Sequence, residues 1–115
     1  MITRKSEQEH SVRESMRGGN GIVQLTGLTK PLPANARLFS VIRLTPGTSI
    51  GYHVHENETE LFYFVEGCAR VCDDGAYFDV CAGDAMSTAS GHGHGVENTG
   101  DVDVVIVAAI IKDLT

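Results

Sequence analysis

The stretch that decides the fold spans residues 47–67 and reads GTSIGYHVHENETELFYFVEG. Side chains of a β-strand alternate between its two faces, so His53 and His55 point the same way, about 7 Å apart along the strand. Glu60 opens the apolar run 61–65, which is rich in aromatic and β-branched residues and predicts a second strand antiparallel to the first. An antiparallel neighbour would place Glu60 beside the two histidines.

A second stretch, residues 83–98, reads GDAMSTASGHGHGVEN and brings a further imidazole, His94, from a glycine-punctuated turn into a short strand. A single H-x-H pair on a strand is more often solvated or hydrogen-bonded than bound to a metal. Here, however, four of the five histidines of the chain fall within the two stretches. Their joint occurrence with a spaced glutamate favours one metal site.

Together the two stretches resemble the cupin motifs G-x5-H-x-H-x4-E-x6-G and G-x5-P-x-G-x2-H-x3-N. The matching residues are Gly47, His53, His55, Glu60 and Gly67 in the first motif, and Gly83, Gly91, His94 and Asn98 in the second. Ala89 stands where the family usually has proline, which should loosen the turn before His94 because proline presets φ. The resemblance implies an all-β fold, the cupin double-stranded β-helix or jelly-roll barrel, in a single domain.

The resemblance also implies that His53, His55, Glu60 and His94 bind one divalent transition metal. Imidazoles and a carboxylate accept Fe, Mn, Ni, Co or Zn, and nothing in the sequence chooses among them. Cupins of this size resemble dioxygenases, decarboxylases, isomerases and ligand-binding domains. We therefore expect a metal-dependent enzyme acting on a small oxygenated or carboxylate-bearing molecule. The alternatives are a non-catalytic metal-dependent binding or sensing module, and a purely structural metal.

Other residues near the motifs are weaker candidates. His92 is the best candidate for a catalytic general base, and the alternative is an exposed loop histidine. Glu56 and Glu58 are either lid acids or solvated turn carboxylates. A set of apolar side chains should share the inward face and bind substrate, although each is equally explained as core: Phe62, Phe64, Met86 and Val96.

The 115 residues allow one small domain, divided into an N-terminal arm, 1–22, and a barrel, 23–115. The arm is either a floppy terminus or a segment that pairs with the sheet of a second subunit. The run 102–111 is almost uniformly apolar, so both its faces should be covered, one by the core and one by another sheet or subunit. These two features predict a homodimer with exchanged arms.

Asp74-Gly75 is the strongest hairpin signal and predicts pairing of 69–72 with 77–80. This register places Cys68 opposite Cys81, where a cross-strand disulfide is geometrically conceivable. In a cytoplasmic protein we expect reduced thiols instead. That location rests on the absence of any apolar stretch of about 20 residues and of a signal-peptide apolar region.

Charge is distributed unevenly along the chain. Between residues 44 and 111, Arg70 is the single basic residue, whereas eleven residues are acidic. Such a surface makes nucleic acid and membranes poor partners and leaves a small molecule as the expected ligand. The mixed charges of the N-terminal segment, including Arg13, Glu14 and Arg17, predict a solvated surface.

Overall fold

Ten β-strands and two short 3₁₀ turns make up the fold in the computed structural model, which describes residues 1–114. The strands are β1 (Glu9–Glu14), β2 (Ile22–Gly27), β3 (Ala36–Leu44), β4 (Ser49–Val54), β5 (Glu58–Glu66), β6 (Cys68–Asp73), β7 (Ala76–Cys81), β8 (Ala85–Thr88), β9 (Gly93–Glu97) and β10 (Val104–Lys112). The turns, Lys5–Glu7 and Met16–Gly18, lie before and after β1. The predicted all-β class is confirmed.

The strands form two antiparallel sheets that enclose one core. The six-stranded sheet has the order β1-β2-β3-β10-β5-β8, and the four-stranded sheet has the order β4-β9-β6-β7. Both sheets contribute buried apolar side chains to the space between them, which include Ile42, Leu44, Ile50, Phe64, Val71, Val96 and Ile106. This two-sheet arrangement is the predicted jelly roll.

The strands that carry His53 and Glu60 are not neighbours, which corrects one expectation from the sequence. β4 pairs with β9, whereas β5 pairs with β10 and β8 in the other sheet. The chain crosses between the sheets at Asn57, whose φ of 62° lies in the left-handed region. Glu60 therefore approaches the histidines from the opposite sheet.

The β6–β7 hairpin has the predicted register around Asp74-Gly75. Cys68 lies opposite Cys81, and Cys72 lies opposite Tyr77. The Cys68 and Cys81 sulfurs are joined in a disulfide, so the expectation of two reduced thiols is wrong. Register alone does not separate the two states, because directly opposed cysteines are close enough for either.

The N-terminal arm packs on its own chain. β1 pairs antiparallel with β2, from Glu9 opposite Gly27 to Glu14 opposite Ile22. The arm thus extends the six-stranded sheet, and its exchange between subunits stays a prediction. Residues 1–114 contain no helix that combines the length and the apolar character required to cross a membrane.

The sequence predicts that both faces of β10 are buried, and one of them is. Val104, Ile106 and Ala108 are fully buried in the core. On the other face Val107 and Ala109 are half-buried. Their neighbours on β3 and β5 are exposed apolar side chains, namely Phe39, Leu61 and Tyr63. The outer face of the six-stranded sheet therefore has an apolar patch without a covering element among residues 1–114.

Candidate metal centre

Four predicted ligands, His53, His55, Glu60 and His94, converge at one point inside the barrel. Each offers one ligand atom, and these atoms all lie within 4.8 Å of one another. Glu60 Oε1 lies 3.0 Å from His55 Nε2 and 2.9 Å from His94 Nε2. His55, Glu60 and His94 are buried, and His53 is half-buried. The cluster suits a metal ion.

The strand register explains how these residues meet. His53 on β4 lies directly opposite His94 on β9, so their side chains share one face of the four-stranded sheet. His55 follows two positions later on the same face. Glu60 enters from the facing sheet, where it pairs with Thr88 of β8. The cluster thus bridges the two sheets.

The Nδ1 atom of each histidine ligand is held by a hydrogen bond. His53 Nδ1–H donates to the Gly51 carbonyl oxygen at 2.8 Å, and His55 Nδ1–H donates to Glu58 Oε2 at 3.0 Å. His94 Nδ1 lies 2.7 Å from Thr88 Oγ1. Partners of this kind fix the tautomer and orientation of metal-binding imidazoles. They leave the Nε2 atoms free to bind an ion.

The donor set fits a divalent cation. His55 Nε2 and His94 Nε2 lie 3.1 Å apart and face the same carboxylate oxygen of Glu60. Two nitrogen lone pairs and a carboxylate directed at one space repel each other unless a cation or proton lies between them. Three imidazoles with one carboxylate are a common set for transition metals. The residues present therefore fit the metal that the sequence predicts, and ligation itself stays a prediction.

Electrostatics favour the binding-competent protonation states. Burial lowers the pKa of His53, and the charges of His94 and Arg17 lower it further, while the hydrogen bond to the Gly51 carbonyl opposes the shift. The Arg37 guanidinium lowers the pKa of Glu58, with a smaller contribution from His55. His53 is thereby favoured as neutral imidazole, and Glu58 as the carboxylate that accepts from His55.

A cavity of about 490 Å³ opens above the cluster. His53, His55 and Glu60 form its floor. The remaining lining residues were not singled out from the sequence as site residues: Arg13, Glu14, Ser15, Met16, Arg17, Leu25, Arg37, Leu38 and Ile110. Several of them belong to the N-terminal segment, whose mixed charges predict a solvated surface. Those side chains are largely exposed, but they border the cavity.

The predicted substrate-binding side chains do not line this cavity. Phe62, Phe64 and Val96 are buried in the core, and Met86 packs against it half-buried. None of the four lines the cavity over the cluster. Phe62 stacks on the His94 ring, with centroids 5.0 Å apart and planes inclined by 18°. All four lie in or against the core, their role in substrate binding stays a prediction, and Phe62 packs against a predicted metal ligand.

His92 is not among the residues that line the cavity. Its exposed ring forms an ion pair through Nδ1 with Asp74 of the β6–β7 turn, and this carboxylate raises the pKa of His92. The carbonyl of His92 accepts a hydrogen bond from the His55 amide. Its assignment as a general base stays a prediction, whereas its backbone helps hold the ligand strand.

Glu58 and Asn98 have structural roles that the motif spacing does not reveal. Glu58, expected as a solvated turn residue or lid acid, has a side chain only 15% exposed and links His55 to Arg37. Asn98 is buried, and its Nδ2 donates to the carbonyl oxygens of Leu44 and Val102. The last residue of the second motif therefore fastens strand ends together and does not reach the cluster.

Hydrogen bonds hold the turn that contains Ala89, although it lacks the proline usual in the family. The His92 amide donates to the Ala89 carbonyl at 3.1 Å, and the Gly91 amide donates to the His55 carbonyl at 2.7 Å. Gly91 has a φ of 84°, which a residue with a side chain adopts only rarely. Hydrogen bonds to the His55 backbone thus position the turn that leads to His94.

Comparison with known proteins identifies the family. Residues 40–110 match the cupin family model, described as a cupin domain. The chain belongs to the cupin family. It is 39% identical over 113 residues to an oxalate-binding protein of Thermotoga maritima, covering 96% of this cupin and 93% of the relative.

Two further matches agree with this result. The crystal structure of a predicted oxalate decarboxylase from T. maritima superposes with a TM-score of 0.91 at 38% identity, covering 97% of this chain and 99% of that one. A probable oxalate decarboxylase of Arthroderma benhamiae is 34% identical over 101 residues, covering 83% of this chain. The match spans only 25% of that longer relative.

Proposed function

We propose that this cupin binds one divalent transition metal through His53, His55, Glu60 and His94 and uses it to bind oxalate or a similarly small dicarboxylate. The observation that carries the proposal is the opening of this cluster into a cavity bordered by Arg13, Arg17 and Arg37. Support comes from the Thermotoga oxalate-binding protein, which aligns with nearly the whole chain. The donor set accepts Fe, Mn, Ni, Co or Zn.

Each part of the cavity has a task in binding a dicarboxylate. The bound metal would supply Lewis-acid coordination for carboxylate oxygens. Arginine side chains donate paired N–H groups whose geometry matches a carboxylate. Leu25, Leu38 and Ile110 add apolar side chains to the lining of the cavity. Polar recognition is thus concentrated at the floor and at the arginines.

Decarboxylation of the same ligand is the second candidate function. Loss of carbon dioxide from oxalate leaves formate only if a proton reaches the remaining carbon. Glu14 is a carboxyl group at the cavity that is not part of the metal cluster, and it could hold that proton. The fungal relative, a probable oxalate decarboxylase, gives this candidate its chemistry. Binding ranks first because the closely aligned Thermotoga protein is an oxalate-binding protein.

One set of measurements tests the proposed function. Metal analysis of protein purified without a histidine tag identifies the ion, and calorimetry of the metal-loaded protein measures oxalate affinity. The metal-free protein is the matched control. We expect saturable oxalate binding only with metal. Equal oxalate binding by both forms, or none by the loaded form, contradicts the proposal. Formate produced in proportion to oxalate consumed, and lost in Glu14→Gln, establishes the decarboxylase instead of the binder.

We also propose a homodimer formed through the apolar patch on the six-stranded sheet. Phe39, Leu61 and Tyr63 are exposed there beside half-buried Val107, and contiguous exposed apolar surface commonly marks an interface. Sedimentation should show a dimer at micromolar concentration. Leu61→Lys with Tyr63→Lys should yield a folded monomer, whereas Val12→Lys on β1 should not. A monomeric wild-type protein refutes the dimer.

A cytoplasmic location stays part of the proposal, and the disulfide weighs against it. Disulfides are rare in reducing compartments. Counting free thiols in protein denatured directly from cells tests the two together. Three thiols per chain agree with the cytoplasm, and one thiol, that of Cys72, indicates an oxidising compartment.

A further inference from the structure

Residues 13–18, which we call the cover, border the cavity on one side. They comprise the last two residues of β1 and the first part of the connection to β2, which includes the 3₁₀ turn Met16–Gly18. Five consecutive residues of the cover line the cavity: Arg13, Glu14, Ser15, Met16 and Arg17. The cover therefore brings most of the charge that lies outside the metal cluster.

Two glycines let the cover lie directly on the ligand strand β4. A Cβ added to Gly51 would overlap the carbonyl oxygen of Arg17, and one added to Gly19 would overlap the carbonyl oxygen of Ser49. Next to this contact, the Ser49 amide donates to the Asn20 carbonyl, and the Asn20 amide donates to Ser49 Oγ, both at 2.9 Å. The close approach of the two backbones depends on the missing side chains.

The same strand segment supports the metal cluster. The Gly51 carbonyl oxygen accepts from His53 Nδ1 at 2.8 Å. Gly51 thus contacts the cover on one side and orients a ligand on the other. This arrangement fixes the position of Arg17 relative to the floor of the cavity.

The backbone of the cover adopts conformations that need support from their surroundings. Ser15 and Arg17 have φ values of 50° and 54°, in the left-handed region that non-glycine residues rarely occupy. Such residues persist where neighbouring contacts determine them, and they cluster at ligand-binding segments. The Ser15 amide donates to the Gly21 carbonyl at 2.9 Å, which closes the loop that holds them.

The arginines at the cavity differ in their partners. Arg37 donates to both carboxylate oxygens of Glu58, at 3.0 and 2.7 Å, so its charge is already compensated. Within residues 1–114, neither Arg13 nor Arg17 forms an ion pair with a carboxylate.

The balance of charge around the cavity suits a dianion. A divalent ion and the two arginines of the cover bring four positive charges, and Glu14 and Glu60 bring two negative ones. The Arg37–Glu58 pair adds none. The remaining two positive charges match one small dicarboxylate and exceed what one monocarboxylate neutralises.

We infer that the cover recognises anions at this cavity and that Arg17 selects a dicarboxylate over a monocarboxylate. Gly51 holds the cover in place, because its missing side chain allows the close contact with β4. The inference rests on the proposed function and adds its specificity. Arg17 would contact the carboxylate group that lies farther from the cluster. A monocarboxylate has no such group and gains little from Arg17.

Matched arginine variants test selectivity by calorimetry on the Mn(II)-loaded protein, with oxalate and acetate as probes. Arg17→Asn removes the charge with a residue that tolerates the left-handed conformation, and Arg17→Lys keeps the charge. We expect Arg17→Asn to weaken oxalate binding roughly tenfold to a hundredfold, as for a lost charged hydrogen bond, with acetate changed less than about threefold. Arg17→Lys should fall between. Arg70→Gln, outside the cavity, should change neither.

A second experiment, without any anion, tests whether Gly51 holds the cover in place. Gly51→Ala should speed hydrogen exchange of the amides of residues 13–18, compared with the wild-type protein at the same Mn(II) occupancy. Gly27→Ala is the matched control, because its added Cβ would make only an ordinary contact of 3.9 Å with the Glu9 carbonyl oxygen. Unchanged exchange in Gly51→Ala overturns this role of Gly51.

The outcomes separate the two proposals. If the wild-type protein binds oxalate and Arg17→Asn binds it equally well, the assignment of Arg17 is overturned while the proposed function stands. If the Mn(II)-loaded wild-type protein binds no oxalate, the proposed function fails and the selectivity assigned to Arg17 fails with it. A loss of Mn(II) affinity in Arg17→Asn equal to its loss of oxalate affinity would make Arg17 a support of the metal cluster and also overturn the inference.

Discussion

The floor and the cover of the cavity are built in different ways. The floor belongs to the metal cluster, in which His55, Glu60 and His94 are buried. Glu60 lies on β5, His94 on β9 and His55 directly after β4, and hydrogen bonds hold the imidazoles of His55 and His94. In the cover, Arg13 and Arg17 are exposed side chains on a short segment held by close backbone contact. By this comparison, metal binding would depend on the barrel as a whole, whereas ligand selection would depend on a few residues at its edge.

The largest effect should follow from breaking the floor. His53→Ala or His55→Ala should lower metal affinity by more than about a hundredfold, because losing a ligand exceeds the tenfold to hundredfold cost of losing its hydrogen-bond partner. Calorimetry with Mn(II) and metal analysis measure the change. His10→Ala is the control, since its ring contacts Thr26 far from the cluster in the register of β1 and β2. Stoichiometric metal in the double variant at neutral pH sinks the assignment.

A smaller effect should follow from loosening the floor without removing a ligand. Thr88→Val keeps the shape of the side chain but removes the hydroxyl at His94 Nδ1, so metal affinity should fall about tenfold to a hundredfold. Thermal stability should also fall, because a buried polar atom loses its partner. Thr26→Val, at an exposed hydrogen bond, provides the comparison. An unchanged metal affinity would mean that Thr88 does not orient His94.

Acid should separate the floor from the cover. Metal affinity should decrease as pH falls through roughly 6, because an imidazole must lose its proton before it ligates. The lowered pKa of His53 keeps this ring neutral to more acidic pH than an ordinary imidazole. An arginine side chain keeps its charge throughout this range. Equal metal affinity at pH 5 and pH 7 argues against imidazole ligation.

The smallest effect should come from His92, which lies outside both regions. His92→Ala should leave metal affinity within about twofold while altering any turnover in which this ring takes part. Release of the metal by His92→Ala would identify His92 as a ligand and overturn the division of the second motif. His94→Ala, two residues away, is the matched loss of a buried ring.

A titration of His92 sharpens the same comparison. Asp74 raises the pKa of His92, and a hydrogen bond from the Gly93 amide followed by the contact with His92 lowers that of Asp74. The contribution of His92 to stability is therefore complete below its ordinary pKa and is lost as pH rises through the raised value. Asp74→Asn should return the pKa of His92 toward 6.5, as NMR of the ring protons can measure. A pKa of His92 that is the same in Asp74→Asn as in the wild-type protein contradicts the pairing of His92 with Asp74.

The sequence predicts the floor better than the cover for a physical reason. The alternation of strand side chains puts His53 and His55 on one face, and the hairpin at Asp74-Gly75 sets Cys68 opposite Cys81. The pairing of the strands that carry His53 and Glu60 was wrong, because the same short spacing allows a hairpin or a crossing between sheets. The local pattern does not separate the two.

The cover depends on contacts between distant parts of the chain. Nothing in the mixed charges of residues 1–22 shows that Arg17 lies against Gly51. A pair of glycines at positions 19 and 51 acquires meaning only when two backbones meet. The redox state of Cys68 and Cys81 also does not follow from the sequence, because the same register is compatible with two thiols and with a disulfide.

The contacts from Arg37 through Glu58 to His55 would couple a bound anion to a bound metal. Glu58 accepts from Arg37 at the cavity and from His55 at the cluster. An anion that draws Arg37 toward itself leaves more of the Glu58 charge for His55, which makes that imidazole a more basic donor. Thermodynamic reciprocity then requires that the metal raise the affinity for the anion by the factor by which the anion raises the affinity for the metal. Scarcity of either one would release the other.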